Sequence, residues 1–207
     1  MTRVRRGWWR ENTVWLAALP LCLAAAAGAS SYAVKDLWYN TGLHHEVAAG
    51  EQGQWLQVTQ KYDDPVGSTS RTYRVRLDDF ETVETWPYYE DEPRKPPDGI
   101  DAVVAHVDWE AAPDQVLFGC RLALVDDSGR RYELDSQDSI DLCTPEDHPG
   151  PTGPYAADQD RDAVAEGAER PSSWSTAPVF LVPEGRRITR MLVFWDPPPD
   201  YVTLSVS

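Results

Sequence analysis

Val116–Leu134 reads VLFGCRLALVDDSGRRYEL. Its first ten residues are almost entirely apolar, Asp126-Asp127-Ser128-Gly129 is a turn signal, and Arg130–Leu134 resumes with alternating character. An apolar run of this length, closed by an Asp/Gly turn and followed by a short return, predicts a strand near the core and an antiparallel hairpin. The same logic works outward. Upstream, Ile100–Trp109 (IDAVVAHVDW) sets Val103, Ala105, Val107 and Trp109 on one face and Val104, His106 and Asp108 on the other. Arg71–Leu77 (RTYRVRL) alternates Tyr73, Val75 and Leu77 against Arg74 and Arg76, the pattern of a half-buried strand, and Val83 and Trp86 extend it past Asp78-Asp79. Gln54–Tyr62 is a further strand, with Asp63–Ser70 as a turn cluster and Pro87–Gly99 as an acidic, proline-rich loop.

Downstream, Trp174–Val182 is a strand interrupted by Pro178, which predicts a sheet edge. Ile188–Trp195 (ITRMLVFW) is the most apolar strand, and Tyr201–Val206 alternates to the end. Seven or eight short strands, turns every 8–12 residues and 17 prolines predict an antiparallel β-sandwich over residues 53–207, which the resemblance given below makes immunoglobulin-like. Residues 136–170 form a long acidic, Pro-rich loop in this reading.

Ahead of the sandwich stands Thr13–Val34, TVWLAALPLCLAAAAGASSYAV, which is 22 residues without a charge. At about 1.5 Å per residue it spans roughly 33 Å, enough for a hydrocarbon core of about 30 Å. Two readings compete. Cleavage after Ala29, with Ala27-Gly28-Ala29 as the small residues, makes it a signal peptide and the product secreted. Trp8 and Trp9 on one side and Trp38 and Tyr39 on the other bracket it as an interfacial belt brackets a retained helix, which favours an anchor. Leu19-Pro20-Leu21 is a poor match to the small residues a lipoprotein cysteine at Cys22 would need. Arg3, Arg5, Arg6 and Arg10 keep the tail, residues 1–12, cytoplasmic and send the C-terminal domain across the membrane. Lys35–Gln52 reads as a juxtamembrane stem.

Net charge is −15, with all but one of the 34 acidic residues beyond the apolar stretch. So acidic a surface disfavours nucleic acid and anionic lipid as partners. The expected partners are the membrane, through the helix, and an envelope protein. Of three cysteines, Cys120 and Cys143 lie in the exported part and are expected as a disulfide. With no further Cys/His cluster, zinc is not expected.

Motifs for chemistry are sparse. Asp158, Asp160, Asp162, Glu166 and Glu169 occupy positions 1, 3, 5, 9 and 12 of an EF-hand-like loop, a candidate Ca²⁺ set. Ala163 replaces the glycine of the sharp turn, and prolines flank the segment where helices are required, so a solvated acidic loop is the plainer reading. His106 with Asp108 two residues on is a candidate acid/base pair or a hydrogen-bonded surface pair. His44-His45 and His148 read as solvated. No nucleophile elbow or phosphate-binding glycine loop is present. The expectation is a binding or structural module with no catalytic residues and no cofactor, Ca²⁺ aside.

Trp8-Trp9-Arg10 before a single span, then Leu117–Leu134 and Val179–Pro198 (VFLVPEGRRITRMLVFWDPP), make the chain similar to uncharacterised single-span envelope proteins of actinobacteria. The same two stretches resemble bacterial extracytoplasmic immunoglobulin-like domains of the DUF4352 type. The resemblance covers about Ile100–Ser207. It implies a binding or structural role outside the membrane and brings no catalytic residues with it. The immunoglobulin hallmark of a tryptophan between two cysteines is missing here, because no Trp lies between Cys120 and Cys143.

Overall fold

The computed structural model describes residues 12–34, 42–88, 92–134, 143–145, 147–153, 169–195 and 200–206. It divides into two compact units, residues 1–42 and 43–207.

In the first unit Thr13–Val34 is one helix, α1, with Pro20 inside it. Its apolar side chains Val14, Trp15, Leu21 and Leu23 are exposed. A helix apolar all round and exposed has the length and composition of a membrane span.

The second unit is a β-sandwich whose described residues form the strands β1 (His45–Glu51), β2 (Leu56–Asp64), β3 (Gly67–Val83), β4 (Trp86–Tyr88), β5 (Glu92–Arg94), β6 (Ile100–Ala111), β7 (Cys120–Asp126), β8 (Arg131–Glu133), β9 (Ser173–Thr176), β10 (Val179–Pro183), β11 (Ile188–Trp195) and β12 (Asp200–Ser205). One sheet, A, runs β1-β12-β11-β7-β8. The other, B, runs β10-β6-β3-β2, with β9 also paired to β6. Within sheet A, the order β12-β11-β7-β8 matches the G-F-C-C′ order of an immunoglobulin variable-type sheet.

The core is formed where the inward faces meet: Tyr73, Val75, Leu77, Ala105, Val107 and Trp109 from sheet B, and Leu122, Leu124, Met191, Val193, Val202 and Leu204 from sheet A. Each set follows the two-residue period of its strand, which is why alternation in the sequence located it.

Three differences from the sequence reading have physical causes. The expected stem over residues 35–52 is shorter, because His45–Glu51 pairs in parallel with β12 and opens the sandwich. The pairing partner lies some 155 residues away, beyond the reach of local pattern. The expected loop at Pro87–Gly99 holds the small β4–β5 hairpin. The strand expected over Trp174–Val182 is two, broken at Ala177-Pro178, where Pro178 has no N–H to give the ladder; β10 is an edge of sheet B, as the proline predicted.

The hairpin that opened the sequence reading is present as β7 and β8. Asp126 accepts hydrogen bonds from the Ser128 hydroxyl (2.6 Å), the Ser128 and Arg130 N–H groups (2.9 Å each) and the Tyr132 hydroxyl (2.8 Å). These donors, the Ser128 hydroxyl foremost, hold its carboxyl well below the usual carboxylate range. Gly129 takes φ 81°, the left-handed conformation that lets the turn close.

Candidate functional site

Among the expected site residues, Cys120 and Cys143 form a disulfide, with Cα atoms 5.8 Å apart and both residues buried. Unlike the immunoglobulin bridge, it ties the first residue of β7 to a loop and not sheet to sheet. Trp174 Nε1 donates to the Cys143 carbonyl at 2.9 Å, and Trp195 Nε1 to that of Leu117 at 3.2 Å.

Arg170 closes the same end of the domain. Its guanidinium donates to the carbonyls of Ala112 (2.9 Å), Gln115 (2.6 Å) and Pro149 (3.2 Å) and lies 4.8 Å from the Trp174 ring centroid. Burial lowers its pKa to about 10, which leaves it charged at neutral pH. Gly150, with φ 81°, faces this side chain so closely that a Cβ there would come 3.0 Å from an Arg170 terminal nitrogen. Cys143 and Arg170 therefore fasten the two ends of the long acidic loop to the sandwich.

The candidate Ca²⁺ ligands Asp158, Asp160, Asp162 and Glu166 lie outside the described residues, as do Arg3, Arg5, Arg6 and Arg10. Glu169 is described and exposed. No group of three or more His, Cys, Asp or Glu side chains that could hold a metal occurs among the described residues. His45 lies on β1 and meets Asp200 across the β1–β12 pair at 3.0 Å.

His106 sits at the one level of sheet B where the ladder is irregular on both sides. On one side β3 bulges between Leu77 and Asp79. On the other, the edge changes from β10 to β9, and Ala105 N–H donates instead to the Pro178 carbonyl at 3.0 Å. Bulges re-aim side chains and concentrate beside functional sites. Here the two interruptions flank an open cleft of about 390 Å³ on the outward face, lined among others by Asp78, Asp79, His106, Asp108, Ser175 and Thr176.

The sequence reading put His106 and Asp108 together as a pair; the structure gives each its own partners. His106 Nε2 lies 3.6 Å from Glu81 and 3.9 Å from Asp79, ion-pair distances too long for hydrogen bonds. Asp108 accepts from Ser175 Oγ (2.5 Å) and from Arg76 Nε (3.1 Å) and a terminal nitrogen (2.5 Å). The Ser175 hydroxyl first, and Arg76 after it, hold the Asp108 carboxyl below its usual range, and the same contact raises the pKa of Arg76. Thr176 Oγ1 is taken by Trp109 Nε1 at 2.9 Å. One step along the ladder, Arg74 pairs with Glu110, and Trp55 stacks on Arg74 and Arg76 with centroid distances of 4.9 and 5.0 Å.

The hydroxyl beside the histidine is therefore committed to a carboxylate, not set as a nucleophile against an imidazole. What the cleft offers is the exposed Asp79 carboxylate, with Glu81 close by, beside a histidine and with open access, an arrangement suited to holding a cationic group. Arg76, Ser175 and Arg170 were not singled out from sequence. Arg76 and Ser175 become partners of Asp108 only through strand register, and Arg170 acts through backbone carbonyls that carry no sequence signature.

No protein-family model matches this chain, and no curated protein matches it either. Among solved structures it is similar to a conserved hypothetical protein from Bacillus anthracis, at 12% identity, covering 68% of this chain and 89% of that one with a TM-score of 0.35. It is also similar to an uncharacterized β-sandwich protein from Clostridium difficile 630, at 8% identity, covering 79% and 95% with a TM-score of 0.34. The sandwich assignment here stands on the two sheets and the core between them.

Proposed function

We propose that this chain is a membrane-anchored β-sandwich on the outer side of a bacterial cytoplasmic membrane, acting as a binding or structural module of the cell envelope and not as a catalyst. The observation that carries the reading is the buried Cys120–Cys143 disulfide in the same chain as an uncharged 22-residue helix. Disulfides persist in oxidising compartments, and the four arginines before the helix orient it so that the disulfide-bearing domain reaches one. The committed partners of Ser175 and Asp108 support the non-catalytic part of the reading.

The test is protease accessibility on intact cells combined with alkaline carbonate extraction. An anchored, outward-facing domain is digested from outside and stays with the membrane pellet. A carbonate-soluble protein beginning near Ser30 overturns the anchor in favour of secretion, and a domain digested only after lysis overturns the orientation.

A further inference from the structure

The strand that leads out of the anchor is lightly held, touching the core only through the part-buried Val47 and Ala48. None of the seven residues of β1 is buried, whereas its neighbour β12 buries three of six and β11 five of eight. Its sequence, His-Glu-Val-Ala-Ala-Gly-Glu, contains a single β-branched residue, Val47, and otherwise consists of types that strands disfavour or tolerate. Among the described residues it pairs only with β12, in parallel, and the register slips between Glu46 and Ala48. Its side-chain ties to β12, His45 to Asp200 and Thr203 Oγ1 to Glu46 at 3.0 Å, sit at its first two residues, and His45 is exposed.

Past Glu51 the attachment changes character. Gln52 N–H donates to the Ser205 carbonyl (2.9 Å), Gln52 Nε2 to the Asp78 carbonyl (2.9 Å) and Gly53 N–H to the Leu77 carbonyl (2.8 Å), so the chain is stitched to both sheets at once. A weak seven-residue pairing thus ends at a firm stop.

We propose that β1 is a releasable strap: it detaches from β12 as a unit up to Gln52 while the rest of the sandwich stays folded. Release frees seven residues, which at about 3.3 Å each adds up to roughly 23 Å of covalent tether between α1 and the domain. Docked, the link from Val34 to His45 is ten residues; undocked, it runs to Gln52. That consequence rests on the reading of α1 as a retained anchor; the release itself does not.

The measurement is amide hydrogen exchange by mass spectrometry on the full chain in detergent micelles. Peptides covering residues 45–51 exchange at least about 100-fold faster than those covering 188–195, since local opening of a poorly buried strand precedes global unfolding. Ala49→Val, at an exposed position, slows exchange over 45–51 and leaves 188–195 unchanged. Gly50→Val, whose Cβ lands 3.3 Å from Leu56 Cβ and 3.5 Å from Leu204 Cδ2, speeds it. Equal exchange rates over the two segments, or an Ala49→Val variant that slows both together, overturn the proposal. Carbonate extraction of the same protein reports on the anchor alone. A soluble protein with a fast-exchanging β1 removes the tether consequence and keeps the strap, and a membrane-bound protein with a protected β1 removes the strap and keeps the anchor.

Discussion

On β11, Leu192 and Phe194 point away from the centre of the sandwich and are still only 5% and 4% exposed. They form a second cluster with Ala123 and Val125 of β7, packed by Leu43 and Tyr201. On β6, the residues that point away from the centre include His106, Asp108 and Glu110, all part-exposed and tied to charged neighbours. Sheet A is thus buried on both faces at its middle, whereas sheet B meets water on one face over His106–Glu110, beyond the buried Ala102 and Val104. Their sequences differ accordingly: VLFGCRLALV and ITRMLVFW read as runs, RTYRVRL and AHVDW as alternations. The lesson is that a continuous apolar run in an antiparallel sandwich marks a strand with a second interface, and an alternating one marks the face available for a site.

Phe194→Ala is the strongest way to break that contrast. If the outward face of sheet A is a true second core, truncation costs about 3–5 kcal/mol, the cost of emptying a buried aromatic site. Urea unfolding of the full chain in detergent, followed by tryptophan fluorescence, measures it. A cost below about 0.5 kcal/mol, the range of ordinary surface changes, would make that face equivalent to the outer face of sheet B.

Next in size is the bridge at the start of β7. Its two cysteines are 23 residues apart, and a ring of that size stabilises by about 3 kcal/mol through the unfolded chain. A Cys120→Ala/Cys143→Ala variant is expected to lose that much in the same unfolding experiment. Intact mass with and without reductant checks the bond itself, which requires a gain of two hydrogens on reduction.

A smaller effect is read by pH at the end of β7. Asp126 ends β7 with its carboxyl held low by the Ser128 hydroxyl and three further donors. Because the folded value lies below the unfolded one, near 4 for a free aspartate, its stabilisation is complete above about pH 4 and drains away as the pH falls toward the folded value. Thermal melts from pH 5 down to pH 2 should fall more steeply for the wild-type chain than for Asp126→Asn, which has no proton to take up. Parallel slopes would show that the hairpin contributes nothing to acid sensitivity.

Much of this contrast was legible beforehand, and the reasons are local. Tyr73, Val75 and Leu77 against Arg74 and Arg76, or the DDSG turn after Val125, are decided within a few residues, so the strands and the antiparallel class could be read. The cysteine pair was legible because only two stand beyond the apolar helix. What stayed hidden depends on distant partners. β1 carries almost no strand propensity and exists through β12. The His106 cleft needs a bulge at Asp78, a break at Pro178 and the alignment of three strands, and the partners of Asp108 follow from the register that sets Arg76 and Ser175 opposite it. The two-residue period of a strand offered His106 and Asp108 as a pair because it cannot see across strands.

The smallest predicted effect sharpens the comparison from the side of sheet B. His106 faces Asp79 and Glu81 at 3.9 and 3.6 Å, with all three side chains substantially exposed, and exposed pairs of that kind contribute between nothing and about 1 kcal/mol. His106→Ala should therefore change unfolding stability by no more than about 0.5 kcal/mol. If the outer face of sheet B is kept polar for a site and not for the fold, the change falls on ligand capture: a cationic probe such as spermidine, titrated calorimetrically, should bind the wild-type chain and respond to the substitution while urea unfolding does not. A large stability loss at His106 would reverse that assignment. The cleft would then be a structural seam, and the two sheets would differ in the chemistry of their outer faces but not in what those faces are for.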